Sequence, residues 1–360
     1  MKHQRGNRRS LLLGLVKQFN LDLTGLTVYT EAASGHYLFT PILAAMAGTE
    51  FVYGQTRDSH FGFAKDIENN TLEIAQMMGV SNRIKILTQR SHSALAESDI
   101  ITNSGFVRPI DEDLIGGLKT SAVIPLMWET WEYRESDFDL KYCKKRDILV
   151  LGTNERHPAC DMSSYIGWLS LKLIFELGFD GGHVLVLGNA PIPVGPIVEY
   201  MRRVNIDVTW VSAKDDGDLR YEEVYSHFQS KGARYDVMII AEHENSLLLL
   251  GRDGILDIEM IRTINPDLKI GVICGNINAE ELENSGLLYL PKEILPFGYI
   301  SYQTYMLGER PVLNLYTAGL KVGEAMARAR LKGLSPRDSA IYVLKNSPAM
   351  DFEGELAWVQ

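Results

Sequence analysis

Cysteine is scarce in this 360-residue chain. Cys143, Cys160 and Cys274 are scattered, odd in number and never paired as C-x-x-C. That excludes a zinc site built on thiolates and fits a reducing, cytoplasmic setting. Long apolar runs are missing too: none approaches the roughly 18 residues of a membrane span, so no membrane partner is expected. A surplus of positive charge is absent, since 46 acidic residues outnumber 36 Lys and Arg for a net charge of −10. A nucleic-acid surface needs clustered Lys and Arg, so no nucleic-acid partner is expected either. The local exception is Lys2, Arg5, Arg8 and Arg9 ahead of Leu11-Leu12-Leu13-Gly14-Leu15-Val16. As a signal peptide this apolar run is short, Lys17 interrupts it and no small-residue cleavage site follows, so it reads as a frayed basic end on an amphipathic helix. No linker rich in Gly, Pro and Ser occurs, and neither G-x-S-x-G nor H-E-x-x-H is present. What remains, 46% hydrophobic and 23% charged residues, is ordinary for a globular protein long enough for two α/β domains.

The most informative stretch is Val184-Leu185-Val186-Leu187-Gly188-Asn189-Ala190-Pro191-Ile192-Pro193-Val194-Gly195. Its four leading apolar residues read as a buried parallel strand. Val194, Ile197, Val198 and Met201 then fall on one helical face, and Val208-Thr209-Trp210-Val211 reads as a second strand. Such a strand–turn–helix–strand unit places backbone N–H groups and a helix N-terminus against a negative ligand, typically a dinucleotide diphosphate. Six residues separate Gly188 from Gly195, however, where G-x-G-x-x-G has four. Pro191, Pro193 and Pro196 also carry no N–H to donate.

Short apolar strands alternate with helices throughout. Candidate strands are 26–30, 50–54, 83–87, 99–102, 122–126 and 148–151, then 184–187, 208–211, 237–240 and 270–273. Helices are expected over 40–47, 69–78, 163–177, from Gly319 through Arg330 with Lys321 on an opening Gly319-Leu320-Lys321-Val322-Gly323 turn, and over 337–346 with Ser335-Pro336 as its start signal. The fold class is therefore α/β, with two Rossmann-like or flavodoxin-like lobes, parallel sheets and an interdomain cleft. The expected division is 1–155 with 315–360 as a substrate lobe and 156–314 as a nucleotide-binding lobe.

Ser136-Asp137-Phe138-Asp139-Leu140-Lys141-Tyr142-Cys143, continuing to Ile148-Leu149-Val150, resembles the end of the first lobe in the D-2-hydroxyacid dehydrogenase superfamily. Residues 102–119 resemble that family's preceding strand and helix. Leu313-Asn314-Leu315-Tyr316-Thr317-Ala318-Gly319-Leu320-Lys321 is similar to the S-adenosylhomocysteine hydrolase branch of the same fold group. The resemblance spans roughly residues 98–325 and implies NAD or NADP as cofactor. The chain departs from it in three places. Cys274-Gly275-Asn276 stands where those dehydrogenases carry Arg-Gly. No Pro-His pair occurs near 296–303. Ser212, followed by Ala213-Lys214, replaces the acidic residue that binds the NAD ribose, a change suited either to a 2′-phosphate or to a plain turn.

Ligands of parallel sheets bind beyond the carboxyl ends of strands. After the first strand comes Glu31-Ala32-Ala33-Ser34-Gly35-His36, after the second Arg57-Asp58-Ser59-His60, after the fourth Asn103-Ser104-Gly105-Phe106-Val107-Arg108, and after the fifth the aromatic-rich Trp128-Glu129-Thr130-Trp131-Glu132. In the second lobe Glu242-His243-Glu244 follows 237–240, its histidine flanked by carboxylates that favour the charged form. His36, His60, His243 and Glu242 are the candidate acid/base groups. Ser34, Gly35, Arg57, Asp58, Ser59 and Asn103 are candidate substrate contacts, with Arg57 as a fork for a carboxylate or phosphate. Gly188, Asn189, Val194, Gly195, Ser212, Lys214 and Asn276 are candidate cofactor contacts, and no metal is expected. The functional expectation is an NAD(P)-dependent oxidoreductase acting on a small polar or anionic metabolite, as a homodimer. An enzyme like S-adenosylhomocysteine hydrolase with tightly held NAD and a non-catalytic two-lobed binding protein stand as alternatives.

Overall fold

In a computed structural model describing residues 2–359, with side chains from Arg8 onward, the chain forms two compact units: Met1–Asp161 with Gly308–Gln360, and Met162–Leu307. The basic side chains of Lys2 and Arg5 lie outside the described residues; the backbone from Lys2 to Gln18 is one helix.

The first unit opens with β1 (Thr27–Glu31), β2 (Phe51–Gln55), β3 (Ile84–Leu87), β4 (Ile100–Ile101), β5 (Val123–Pro125) and β6 (Leu149–Thr153). They pair in parallel in the order β3-β2-β1-β4-β5-β6. Val28, Val52, Ile100, Val123 and Leu149 are fully or almost fully buried, as expected for a sheet covered on both faces.

The second unit contributes β7 (His183–Leu187), β8 (Asp207–Ser212), β9 (Leu219–Arg220), β10 (Tyr235–Ala241), β11 (Leu248–Leu250), β12 (Lys269–Cys274), β13 (Asn276–Ile277) and β14 (Leu288–Leu290). Six of these form a wholly parallel sheet, β9-β8-β7-β10-β12-β14, and β11 pairs separately with β13. Numbered within the unit, the sheet reads 3-2-1-4-5-6, the dinucleotide-fold order. The helix Met162–Glu176 lies against the helix Val194–Arg203 at Gly167, where a Cβ would stand 2.3 Å from the Tyr200 ring.

The chain then returns to the first unit through the helix Glu309–Leu331, the helix Pro336–Asn346 and β15 (Ala349–Met350), which pairs antiparallel with β6. Ser335 caps the second of these helices, accepting from the Asp338 N–H at 3.1 Å. The expected turn at 319–323 does not exist: the helix starts ten residues earlier and runs straight through it. Gly319 and Gly323 are spaced one turn apart and face the sheet. A Cβ on Gly319 would meet Met127 at 2.5 Å, and one on Gly323 would meet Ile100 and Pro125 at 2.9 Å. These glycines permit close helix–sheet approach rather than a bend. The helix expected at 69–78 likewise starts earlier, at Ala64, because Asp58 reaches forward from the preceding loop to accept the Ala64 N–H at 2.7 Å. No helix among the described residues is long and apolar enough to cross a membrane.

Candidate functional site

Each sheet reverses its order of construction at one place, between β1 and β4 in the first unit and between β7 and β10 in the second. Connections leave such a pair in opposite directions and open a crevice at the carboxyl ends of the strands.

In the second unit this point is organised around Gly188. Its φ of +149° and an ideal Cβ position only 2.2 Å from the Ala241 carbonyl oxygen exclude any side chain. Its carbonyl accepts the indole N–H of Trp210 at 2.8 Å. Asn189 is buried, and its Oδ1 accepts from the Ser212 hydroxyl at 3.0 Å and the Ala213 N–H at 2.9 Å. The end of β8 is thereby tied to the glycine loop, and Ser212 is spent on that lock. Lys214 bridges the loops that follow β7 and β10: its Nζ lies 3.0 Å from the Ala190 carbonyl and 2.5 Å from Glu244.

The helix that follows the loop starts at Val194 with Pro193 at its cap and no side-chain cap. The Gly195 N–H turns onto the Pro191 carbonyl at 3.2 Å, so this helix start offers fewer N–H groups than a G-x-G-x-x-G turn. Nothing stands within 4 Å of where a Gly195 Cβ would be. Val194 itself is buried in the core, where its side chain packs toward Gly188.

Glu242 is fully buried at the end of β10. One carboxylate oxygen accepts the Tyr221 hydroxyl at 2.6 Å; the other accepts the N–H groups of Glu244 and Asn245 at 2.8 and 3.0 Å. These bonds give Glu242, expected as an acid/base group, the task of folding the 242–245 turn. That turn carries His243 half-buried between the two glutamates. Asn276 donates to the Ser246 carbonyl at 2.7 Å and so pins β13 to the same loop. Burial, and then the charge of Glu242, push the neighbouring Cys274 thiol up to about 12.

In the first unit Ser34 and His36 are partly buried and Gly35 is exposed, in the single 3-10 turn after β1. Arg57 is exposed with its guanidinium 5.4 Å from the Phe106 ring centre. Asp58 is occupied as the helix cap described above. Ser59 closes a tight turn onto Gly62, and His60 sits exposed on it, 3.7 Å from the Phe61 ring. Asn103 is buried, its Oδ1 accepting the Met127 N–H at 2.9 Å.

The residue that sequence reading passed over is Glu31, the last of β1, only 6% exposed. Its Oε2 accepts the Phe106 N–H at 3.2 Å, while the Thr40 hydroxyl donates to its carbonyl at 2.9 Å. Beside it Thr30, Thr102, Ser104 and Tyr316 join in a hydroxyl chain with links of 2.6–2.9 Å. Burial raises the Glu31 carboxyl from its ordinary 4.5 to about 7, against the opposing pull of the Phe106 N–H and the Arg108 charge. The folded state therefore holds this proton more tightly than the unfolded chain. The stabilisation is fully present below about pH 4.5 and lost as pH rises through about 7, a span worth about 3 kcal/mol. Glu31→Gln should accordingly be more stable than the parent protein at pH 8 and near parity at pH 5. Urea titrations at the two pH values check this, and equal effects at both would contradict it.

No family model and no curated protein matches the chain. Among solved structures, a dipicolinate synthase subunit from Bacillus halodurans superposes with a TM-score of 0.51 at 11% identity, over 85% of this chain and 99% of that one. D-2-hydroxyisocaproate dehydrogenase gives a TM-score of 0.50 at 11% identity, over 86% of this chain and 98% of its own. At such identities the likeness is one of fold. The sheet orders and these superpositions show a two-unit α/β fold with parallel sheets like that of these two proteins.

Proposed function

We propose that the protein is an NAD(P)-dependent oxidoreductase acting on a small polar or anionic metabolite, with the dinucleotide held by the second unit. The observation that carries this reading is the six-stranded 3-2-1-4-5-6 sheet whose switch point is followed by an uncapped helix start with open space at Gly195. A helix start of this kind favours negative charge through its dipole even with some N–H groups lost to proline. Bound there, the nicotinamide would supply a hydride donor or acceptor. The residues of the chain hold and orient it: Gly188 admits the close approach of β7 and β10, the Asn189–Ser212 lock fixes the wall, and Lys214 offers a cation at the mouth. Because Glu244 already pairs with that lysine, a 2′-phosphate would have to compete for it, and the reading covers NAD and NADP alike. His36 and His60 are the proposed proton carriers of the first unit and Arg57 its proposed anion fork.

Trp210 makes the test simple, since its indole is bonded to the glycine loop. Titration with NADH and NADPH should give saturable quenching of tryptophan emission, with sensitised emission from the reduced nicotinamide. Trp210→Phe should remove most of that transfer. Gly195→Leu should weaken binding about tenfold or more by filling the space before the helix start, with the unfolding midpoint little changed. Absence of binding at millimolar nucleotide, or full affinity in folded Gly195→Leu protein, would sink the assignment.

A further inference from the structure

Away from the crevice, at the amino ends of β7, β8 and β10, two histidines share a polar corner with Arg234. His183 opens β7, Thr209 lies early in β8, and Tyr235 opens β10. Three groups meet in a triangle. His183 Nε2 stands 2.8 Å from the Thr209 hydroxyl, and Arg234 Nη2 stands 3.2 Å from that hydroxyl and 3.4 Å from Nε2. A guanidinium only donates, so its contact with Nε2 requires a bare nitrogen. The Thr209 hydroxyl then accepts from Arg234 and gives its own proton to His183. The imidazole is therefore neutral, with its proton on Nδ1. Arg234 also lies over Tyr235, its guanidinium carbon 5.1 Å from the ring centre, and the Tyr235 hydroxyl is 2.7 Å from His227 Nε2.

His227 belongs to the helix Tyr221–Lys231, whose first residue bonds to Glu242. The helix is thus held at two places, by Tyr221 on Glu242 and by His227 on Tyr235. A proton on His183 Nε2 would turn that nitrogen from acceptor to donor. Two cations would then stand 3.4 Å apart with N–H groups facing each other, an arrangement no hydrogen bond can satisfy. We infer that this corner is an acid-operated latch: protonation of His183 expels Arg234 and loosens the seat of the helix on the sheet.

The surrounding charges set the direction of the response. Burial, and then the Arg234 charge, hold the His183 imidazole below its ordinary range, against the pull of Asp207, Asp236 and Asp218. Burial, and then Arg234, Lys231 and His183, do the same to His227, against Glu223. The folded unit therefore takes these protons less readily than the unfolded chain. Their stabilisation is fully present above about pH 6.5, the ordinary histidine value, and is lost as pH falls below it. The sign is opposite to that of Glu31 in the first unit.

Two measurements on the full-length protein test this. By NMR of histidine-labelled protein, His183 should titrate below about 6.5. Arg234→Met should move that titration upward, because the facing donor and its charge are gone. His183→Gln keeps an oxygen that accepts from Thr209 and Arg234 but takes up no proton. In urea unfolding read by Trp210 emission, the folded-to-unfolded ratio of the parent protein should drop several-fold further between pH 8 and pH 5 than that of His183→Gln. Glu31 is common to both proteins, so its contribution cancels in the comparison. A His183 titration at or above the ordinary value, one unmoved by Arg234→Met, or equal pH dependence in His183→Gln would overturn the inference. The titration does not depend on how well His183→Gln folds, and no nucleotide takes part in either measurement.

Discussion

Gly188→Ala should cost the second unit about 4 kcal/mol of stability, from backbone strain and overpacking together. The backbone at φ +149° is a region that L side chains rarely enter. The added methyl would also stand 2.2 Å from the Ala241 carbonyl oxygen and 2.7 Å from Val194 Cγ2. The first obstacle is the main chain of the neighbouring strand, which can move only by breaking the β7–β10 pairing. Urea unfolding followed by the emission of Trp210, whose indole is bonded to Gly188, reads the change directly. A loss below about 1 kcal/mol, the cost of an ordinary point substitution, would contradict it.

Glu242→Ala should cost about 4 kcal/mol as well, by a different route. The truncation removes the acceptors of three donors, the buried Tyr221 hydroxyl and the part-buried N–H groups of Glu244 and Asn245, and leaves a cavity where the fully buried carboxylate stood. Glu242→Gln should recover most of this loss, because its amide oxygen still accepts both backbone groups and its NH₂ can donate to the Tyr221 oxygen. Equilibrium unfolding of the pair distinguishes a scaffold from a surface acid. If alanine and glutamine behave alike, or if alanine is harmless, Glu242 is not holding the turn.

Much of the sheet framework can be read from the chain because parallel strands buried on both faces are written as apolar runs. Val184 to Leu187 and Val237 to Ile240 are fully buried, and the structure extends the first strand by one residue and the second by three. The strands β9, β11, β13, β14 and β15, two or three residues each, are too short to carry a period and went unread. The site was less legible. Glu31 stood in a segment singled out for its histidine, yet a charged residue ending a strand ordinarily turns to solvent. Only the chain returning at 105–106, more than seventy residues later, buries it. The loops bearing Arg108 and Trp128 were visible as polar and aromatic clusters, but stacking one on the other depends on β4 lying beside β5. Ser212, read for its possible contact with a ribose, is held by Asn189 from another strand's loop. In each case a tertiary partner settled what the residue type left open.

The course of the chain through the two units sets an order of assembly. The second unit is one continuous stretch, Met162–Leu307, inserted into the first, which is completed only by Gly308–Gln360. On a ribosome the inserted unit has its whole sequence available while the earlier one still lacks β15 and the long helix that covers β5 and β6. At typical elongation rates the roughly 200 residues after Asp161 take about 10–40 s to appear. The segment made first is thus the last to close, and Gly319 and Gly323 belong to the piece that closes it.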